Sequence, residues 1–129
     1  ILRDKTFKKT TEDLWDPVIA VHLKGTYHAT RAAYLHMVEQ GTGGRIIMTS
    51  STSGLIGNFG QCNYGAAKAG IAGFMRCLAL EGQKAGITVN VLAPNAYSRM
   101  TASISERIRA TSARPMSCTS CGVMSRVVK

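Results

Sequence analysis

The sequence predicts an α/β fold built on a parallel sheet. Two long helical patterns, at 11–38 and 62–84, alternate with two short apolar runs, at 45–49 and 87–92. Strands that alternate with helices in this way form parallel sheets, because each crossover helix carries the chain back to the same end of the sheet. With 129 residues, the chain has the length of one small domain.

The first predicted helix covers residues 11–38 and ends at the glycine-rich turn 41–44. Thr11 is placed to cap it, Glu12 and Asp13 suit the positive end of its dipole, and Pro17 falls in its opening turns. Apolar and small residues recur at spacings of three and four, which predicts the packed face. That face consists of Leu14, Val18, Val21, Gly25, Ala29 and Ala32.

The remaining elements follow in the order strand, loop, helix, strand. Residues 45–49 predict a buried strand, and residues 50–60 form a loop rich in serine and glycine. The helix at 62–84 is rich in alanine and glycine and is closed by Gly86, and the buried strand at 87–92 is ended by Pro94. Ligands of such sheets bind beyond the carboxyl ends of the strands. The loops after both strands are therefore expected to line a crevice.

Composition excludes several classes of partner. The net charge is +9, but lysine and arginine are scattered and not interleaved with aromatic residues, which favours a solvated surface over nucleic-acid binding. No run of apolar residues is long enough to cross a membrane. Cys118 and Cys121 have CxxC spacing, but no second pair or paired histidine completes a tetrahedral zinc site. We expect no metal, and reduced thiols at these positions and at Cys62 and Cys77, with redox or zinc use of the pair as the alternative.

Tyr64, Lys68 and Ser51 form the constellation that carries chemistry. Tyr64 and Lys68 are four residues apart on the second helix and share a face, and Ser51 precedes Tyr64 by 13 residues on the loop that leaves the first strand. An adjacent ammonium favours the deprotonated form of a phenol, which can then act as a general base for alcohol oxidation and a general acid for ketone reduction. A neutral serine hydroxyl can hold the substrate oxygen without competing as a base.

Three separated motifs resemble the short-chain dehydrogenase/reductase family. They are GRIIMTSS at 44–51, NYGAAK at 63–68 and VNVLAP at 89–94. The resemblance covers residues 1–103 and implies the C-terminal part of a Rossmann-like doubly wound parallel sheet. The glycine-rich phosphate loop of the family is absent, so we expect a fragment that is incomplete at its N-terminus and inactive alone.

The resemblance also implies the roles of individual residues. Ser51, Tyr64 and Lys68 would be the catalytic triad, with Ser51 and Tyr64 contacting the substrate. NAD or NADP would be the cofactor, bound by Tyr64 and Lys68, with 94–96 (Pro94, Asn95 and Ala96) against the nicotinamide. His22 stands where many members carry asparagine in a proton relay, and the alternative is an ordinary helix histidine. Asn95 replaces the usual glycine after Pro94.

Within the family, the segments 1–5, 21–25, 57–61 and 93–101 resemble the (3R)-hydroxyacyl-CoA dehydrogenase units of peroxisomal multifunctional enzymes of type 2. This implies NAD-dependent oxidation of 3-hydroxyacyl-CoA to 3-ketoacyl-CoA in fatty-acid β-oxidation, in the peroxisome or alternatively the cytoplasm. It also implies a homodimer formed through the helices 11–38 and 62–84. The alternatives are a 3-ketoacyl carrier-protein reductase, a hydroxysteroid dehydrogenase, or a non-catalytic truncated subunit.

The tail at 104–129 shows neither helical nor strand periodicity. One permitted choice of codons for 115–129, read two bases along, resembles the stretch WLCHESCE that follows in eukaryotic multifunctional enzymes. We therefore expect a frameshifted or disordered tail, in which the CxxC pair would have no chemical role. A divergent tail is the alternative.

Overall fold

The structure, a computed structural model, describes residues 1–94. The predicted sites at Asn95, Ala96, Cys118 and Cys121, and the tail at 104–129, lie outside these residues. A short 3-10 turn, Phe7–Lys9, precedes the larger elements. The helices and strands are α1 (Glu12–Ile19), α2 (Gly25–Gln40), β1 (Gly44–Thr49), α3 (Thr52–Leu55), α4 (Cys62–Glu81) and β2 (Ile87–Leu92).

Strands β1 and β2 pair in parallel, with Gly44 opposite Ile87 and Thr49 opposite Leu92. Both predicted strands and their parallel arrangement are therefore confirmed. One face of this sheet holds the core, to which α4 and partly buried residues of α2 contribute. The buried members of this core cluster are Ile46, Met48, Ile71, Met75, Leu78, Ile87, Val89 and Val91.

The prediction that the strands are wholly buried is wrong for both. In β1, Ile46 and Met48 are buried and Ile47 is exposed over 72% of its surface, and in β2 Thr88 is exposed between the buried Ile87 and Val89. The reason is that α2 and α4 both pack on the core face, so that within residues 1–94 the outer face of β1 remains open.

The long first helix contains a π-helical turn, Ala20–Lys24, between α1 and α2. A π turn holds one residue more than an α turn and rotates everything that follows. Before the turn Val18 is buried as predicted. From the turn onward, Thr30 is buried and Tyr34 and Met37 pack on the core, whereas Val21, Gly25, Ala29 and Ala32 are exposed. Beyond Val18 the stripe therefore does not face the core of this chain, and close helix contact by its small residues stays a prediction.

The ends of the long helices are set by backbone contacts. Thr11 precedes α1 as expected, but its side chain makes no capping hydrogen bond, and instead its carbonyl accepts the amides of Leu14 and Trp15. The predicted capping role of the Thr11 side chain is thus wrong. Gly41 ends α2 in the left-handed conformation, with φ of 70°. Helix α4 tightens into a 3-10 turn, Gly82–Ala85, before Gly86.

Candidate active site

The loop after β1 contains a short helix, which the sequence did not predict. Residues 50–60 were expected to be irregular, but Thr52–Leu55 forms α3. Ser51 is its N-cap, with extended backbone, and the Ser51 Oγ accepts a hydrogen bond of 3.2 Å from the Ser53 amide. Such a cap satisfies an amide that has no partner inside the helix. It also places the Ser51 hydroxyl at the first turn, just beyond the end of β1.

Two contacts dock this segment on α4 at the level of Lys68. The Ser50 hydroxyl is buried and donates a hydrogen bond of 2.7 Å to the Lys68 carbonyl oxygen. Gly54 lies so close to α4 that a Cβ there would come within 2.6 Å of the Ala69 nitrogen and 2.7 Å of the Lys68 carbonyl carbon. Only glycine fits this contact without displacing α3 from α4.

Lys68 is held at the end of β1. Its side chain is only 7% exposed, and its Nζ donates a hydrogen bond of 2.8 Å to the Thr49 carbonyl. Burial disfavours the charged ammonium and lowers the pKa of Lys68 below its usual value. An ammonium has three donors, so the contact with Thr49 leaves two for a ligand.

Tyr64 lies beside two basic side chains. The Lys68 Nζ is 5.6 Å from the centre of the Tyr64 ring, within the range of a cation–π contact. The His22 ring meets Tyr64 edge-on, with centroids 5.0 Å apart and planes at 87°. The structure therefore brings a phenol, an ammonium and an imidazole together at one point, and Tyr64 remains partly exposed there.

His22 lies in the π-helical turn between α1 and α2. Its Nε2 donates a hydrogen bond of 2.7 Å to the Ile1 carbonyl, which leaves Nδ1 as the acceptor of the neutral ring. Burial lowers the pKa of His22, the hydrogen bond to Ile1 opposes this shift, and the charge of Lys68 adds to it. The net lowering favours the neutral imidazole beside Tyr64 near neutral pH.

Sequence reasoning did not single out the two buried amides beside Tyr64. Gln61 is 5% exposed and Asn63 is 2% exposed. The Asn63 Nδ2 donates to the carbonyls of Arg3 and Leu14, and its Oδ1 accepts the Tyr64 amide at 2.7 Å. Asn63 thus fixes the start of α4 against two distant segments. Its position in the NYGAAK motif was the available signal.

The predicted site residues can now be located. Lys68 and His22 both lie beside Tyr64, and the Ser51 segment is joined to Lys68 through Thr49 and Ser50. Pro94 is exposed after β2. Among residues 1–94, no group of three or more histidine, cysteine or acidic side chains could hold a metal ion. Cys62 and Cys77 are both free thiols, and no helix in the described part is long and apolar enough to span a membrane.

Comparison with known proteins identifies relatives of similar sequence. The chain is 54% identical over 104 residues to the peroxisomal hydratase-dehydrogenase-epimerase of Neurospora crassa, in a match that covers 81% of this chain and 12% of that protein. It is 46% identical over 110 residues to the acetoacetyl-CoA reductase of Allochromatium vinosum, covering 84% of this chain and 44% of the reductase. The chain therefore spans less than half the length of these relatives.

The fold comparison agrees. The full-length peroxisomal multifunctional enzyme type 2 from Drosophila melanogaster matches with a TM-score of 0.71 and 48% identity, over 76% of this chain and 18% of that one. This similarity identifies the two strands and their helices as part of a Rossmann-like α/β fold. The family model described as short chain dehydrogenase matches residues 1–109. The chain belongs to the short-chain dehydrogenase family.

Proposed function

We propose that Tyr64 exchanges a proton with a secondary alcohol during its oxidation to a ketone, in an enzyme that uses a nicotinamide dinucleotide. The observation that carries this proposal is the position of Tyr64 beside the Lys68 ammonium and the neutral His22 ring. The Tyr64 hydroxyl is the group that would accept the hydroxyl proton during oxidation and return it during reduction.

Ser51 provides a neutral donor for the reacting oxygen. Because its Oγ accepts the Ser53 amide, its single hydroxyl hydrogen is free to point at a substrate. A donor held in place in this way stabilises charge on the substrate oxygen while the proton moves. Ser51 does not titrate near neutral pH, so it does not compete with Tyr64 for that proton.

The residues present fit one part of the cofactor. The two free donors of the Lys68 ammonium suit the hydroxyl groups of a ribose, and Lys68 lies beyond the carboxyl end of β1, where ligands of parallel sheets bind. Tyr64 and residues 94–96 would complete this end of the binding site. When bound, NAD or NADP supplies the hydride acceptor.

The substrate that we propose is a 3-hydroxyacyl-CoA, oxidised to the 3-ketoacyl-CoA with NAD in peroxisomal fatty-acid oxidation. Support comes from the names of the relatives, which include a peroxisomal hydratase-dehydrogenase-epimerase and a peroxisomal multifunctional enzyme type 2. The similarity to an acetoacetyl-CoA reductase favours a second candidate, the reduction of a 3-ketoacyl thioester. Both candidates use the same Ser51, Tyr64 and Lys68 chemistry, run in opposite directions.

The test is a steady-state assay of the protein expressed from its complete reading frame. We expect (3R)-hydroxyacyl-CoA to reduce NAD faster than NADP, and the (3S) isomer to react poorly. Lys68→Ala should slow the reaction and weaken dinucleotide binding, because it removes the ammonium beside Tyr64 and the donors proposed for the ribose. A protein that binds neither dinucleotide nor acyl-CoA would support the non-catalytic alternative and reject the proposal.

A further inference from the structure

Gln61 is the centre of a hydrogen-bond cluster beside the proposed site. Its Oε1 accepts from the Ser53 hydroxyl at 2.8 Å and from the Asn58 Nδ2 at 3.1 Å. Its Nε2 donates to the Asp4 Oδ2 at 2.7 Å. A buried amide needs such partners, because leaving it unsatisfied is costly. Asn58 belongs to the same turn as Gln61, whereas Ser53 belongs to α3 and Asp4 to a distant segment, so that Gln61 ties these segments together.

One of these segments is the strap formed by residues 3–5. The strap crosses the start of α4 and is held by three contacts, each to a different residue among 60–63, which lead into and begin α4. The Asn63 Nδ2 donates to the Arg3 carbonyl, Gln61 donates to Asp4, and the Lys5 amide donates to the Gly60 carbonyl at 2.9 Å. Of these, only the contact between Gln61 and Asp4 joins two side chains, and it can be altered without changing the backbone.

The cluster leads directly to Ser51. The Ser53 hydroxyl is held by Gln61, and the Ser53 amide donates to the Ser51 Oγ. The same residue thus links the buried glutamine to the hydroxyl that holds the substrate oxygen. A shift of the Ser53 main chain would redirect the hydrogen bond that its amide donates to Ser51. A misplacement of about 1 Å at such a group can cost about 100-fold in rate.

We propose that Gln61, anchored by Asp4, is a positioning residue that orients the Ser51 hydroxyl through Ser53. This inference rests on the proposed function, since it assigns Ser51 to the substrate oxygen. Gln61 is buried and would act through Ser53, whereas Tyr64 and Lys68 are the residues proposed to contact the substrate and the dinucleotide.

The hydrogen bond that Gln61 donates to Asp4 can be reversed by a pair of substitutions, which provides a test. In Gln61→Glu, one carboxylate oxygen can still accept from Ser53 and Asn58, but the other faces the Asp4 carboxylate at the former hydrogen-bond distance of 2.7 Å. Two carboxylates repel each other there. Adding Asp4→Asn restores a donor and an acceptor with reversed polarity and returns the formal charge to that of the wild type. Asp4→Asn alone is a mild change, because its amide oxygen can still accept from Gln61.

The experiment compares the wild type, Gln61→Glu, Asp4→Asn and the double variant, each expressed from the complete reading frame. We expect Gln61→Glu to lower kcat about 10- to 100-fold while dinucleotide affinity is unchanged. The double variant should recover kcat to within a few fold of the wild type. Ser53→Ala, which deletes one contact to Gln61 and keeps the Ser53 amide, should lower kcat to an intermediate level.

Several outcomes would overturn the inference. A wild-type kcat in Gln61→Glu, or no recovery in a folded double variant, would show that the cluster does not position Ser51. A lower Tm with unchanged kcat per folded molecule would mean that Gln61 is only structural. If Gln61→Glu does not fold, the kcat and Tm of Ser53→Ala decide whether the cluster positions Ser51. If the wild type is inactive, the proposed function fails, but hydrogen exchange at the Ser53 amide still decides, since it must quicken in Gln61→Glu and slow again in the double variant.

Discussion

The Ser50 hydroxyl donates a hydrogen bond of 2.7 Å to the Lys68 carbonyl oxygen. The preceding residue, Thr49, accepts the Nζ of the same lysine at 2.8 Å. Two successive residues at the end of β1 therefore hold Lys68 by its main chain and by its side chain. Because Ser51 follows directly, the position of its hydroxyl is coupled to that of the ammonium.

Ser50→Ala should change mainly the stability of the protein, and Ser51→Ala should change mainly its rate of turnover. Ser50→Ala deletes a buried hydrogen bond and should lower the free energy of unfolding by about 1 kcal/mol. Ser51→Ala should slow turnover while the pH–rate profile keeps its shape, because the hydroxyl orients the substrate oxygen and does not titrate. Denaturant unfolding and kcat, measured on both variants, check the assignment. A Ser51→Ala enzyme with wild-type kcat would contradict it.

Tyr64→Phe should abolish turnover and leave dinucleotide binding nearly intact. The substitution keeps the ring, and with it the edge contact to His22 and the contact to Lys68. It removes only the hydroxyl that exchanges the proton, a role worth about 10² to 10⁴ in rate. Fluorescence titration with reduced dinucleotide provides the binding control. If the variant retains more than about a tenth of wild-type kcat, the proton passes through another group.

The elements with a strong local signal could be predicted from the sequence. The strand β2 matches its predicted bounds, 87–92, and β1 begins one residue before its predicted start. Both strands could be located because each apolar run lies between a glycine turn and a polar loop. The π turn could not be predicted from the sequence. The apolar spacing before the turn is the same whether or not the helix takes up an extra residue at this point. It moved the buried face of α2 from Ala29 to Thr30.

In the candidate site too, the residues placed by a local pattern could be predicted and the contacts between distant segments could not. Tyr64 and Lys68 are four residues apart on one helix, so their proximity follows from helical geometry. Helix α3 has four residues and no apolar period, and it depends on the Ser51 cap and on the close approach of Gly54 to α4. Gln61 meets Asp4 across 57 positions in the chain. No local pattern contains such a contact, which exists only after folding.

Lys68→Met should change how stability depends on pH. Burial lowers the pKa of Lys68 below its ordinary value of 10.5, so between the lowered pKa and 10.5 the unfolded chain binds the proton more tightly than the folded one. The wild type should therefore gain stability as pH rises through this window and lose it as pH falls. Lys68→Met should lack this gain. Denaturant unfolding at a series of alkaline pH values tests it, with the exposed Lys84→Met as control.

His22→Asn should alter the acid side of the stability profile. The pKa of His22 is lowered from 6.5, mainly by burial, so the unfolded chain takes up the proton first as pH falls. Stability is thus fully present above pH 6.5 and is lost as pH falls through the lowered pKa. His22→Asn should remove this loss, whereas the exposed His36→Asn should not. Equal acid sensitivity of the wild type and His22→Asn would contradict the prediction.

We propose that the chain forms a homodimer through α2 and α4. Three apolar side chains recur on one side of α2, and Tyr27, Leu35 and Val38 are each 44% exposed. Large apolar side chains grouped on one side of a helix favour a protein contact. This side of α2 is therefore the surface that we propose to pack against the partner.

Leu35→Arg should dissociate this dimer, because it places a charge in an apolar contact. Ala33→Arg is the matched control, since position 33 is also exposed but points about half a turn away from Leu35. Sedimentation equilibrium of the complete protein should show a monomer for Leu35→Arg and a dimer for Ala33→Arg, both with wild-type helix content. A dimer that persists in Leu35→Arg would place the contact elsewhere. A monomeric wild type would remove the proposal altogether, and the exposed surface of α2 would then be explained by packing within one chain.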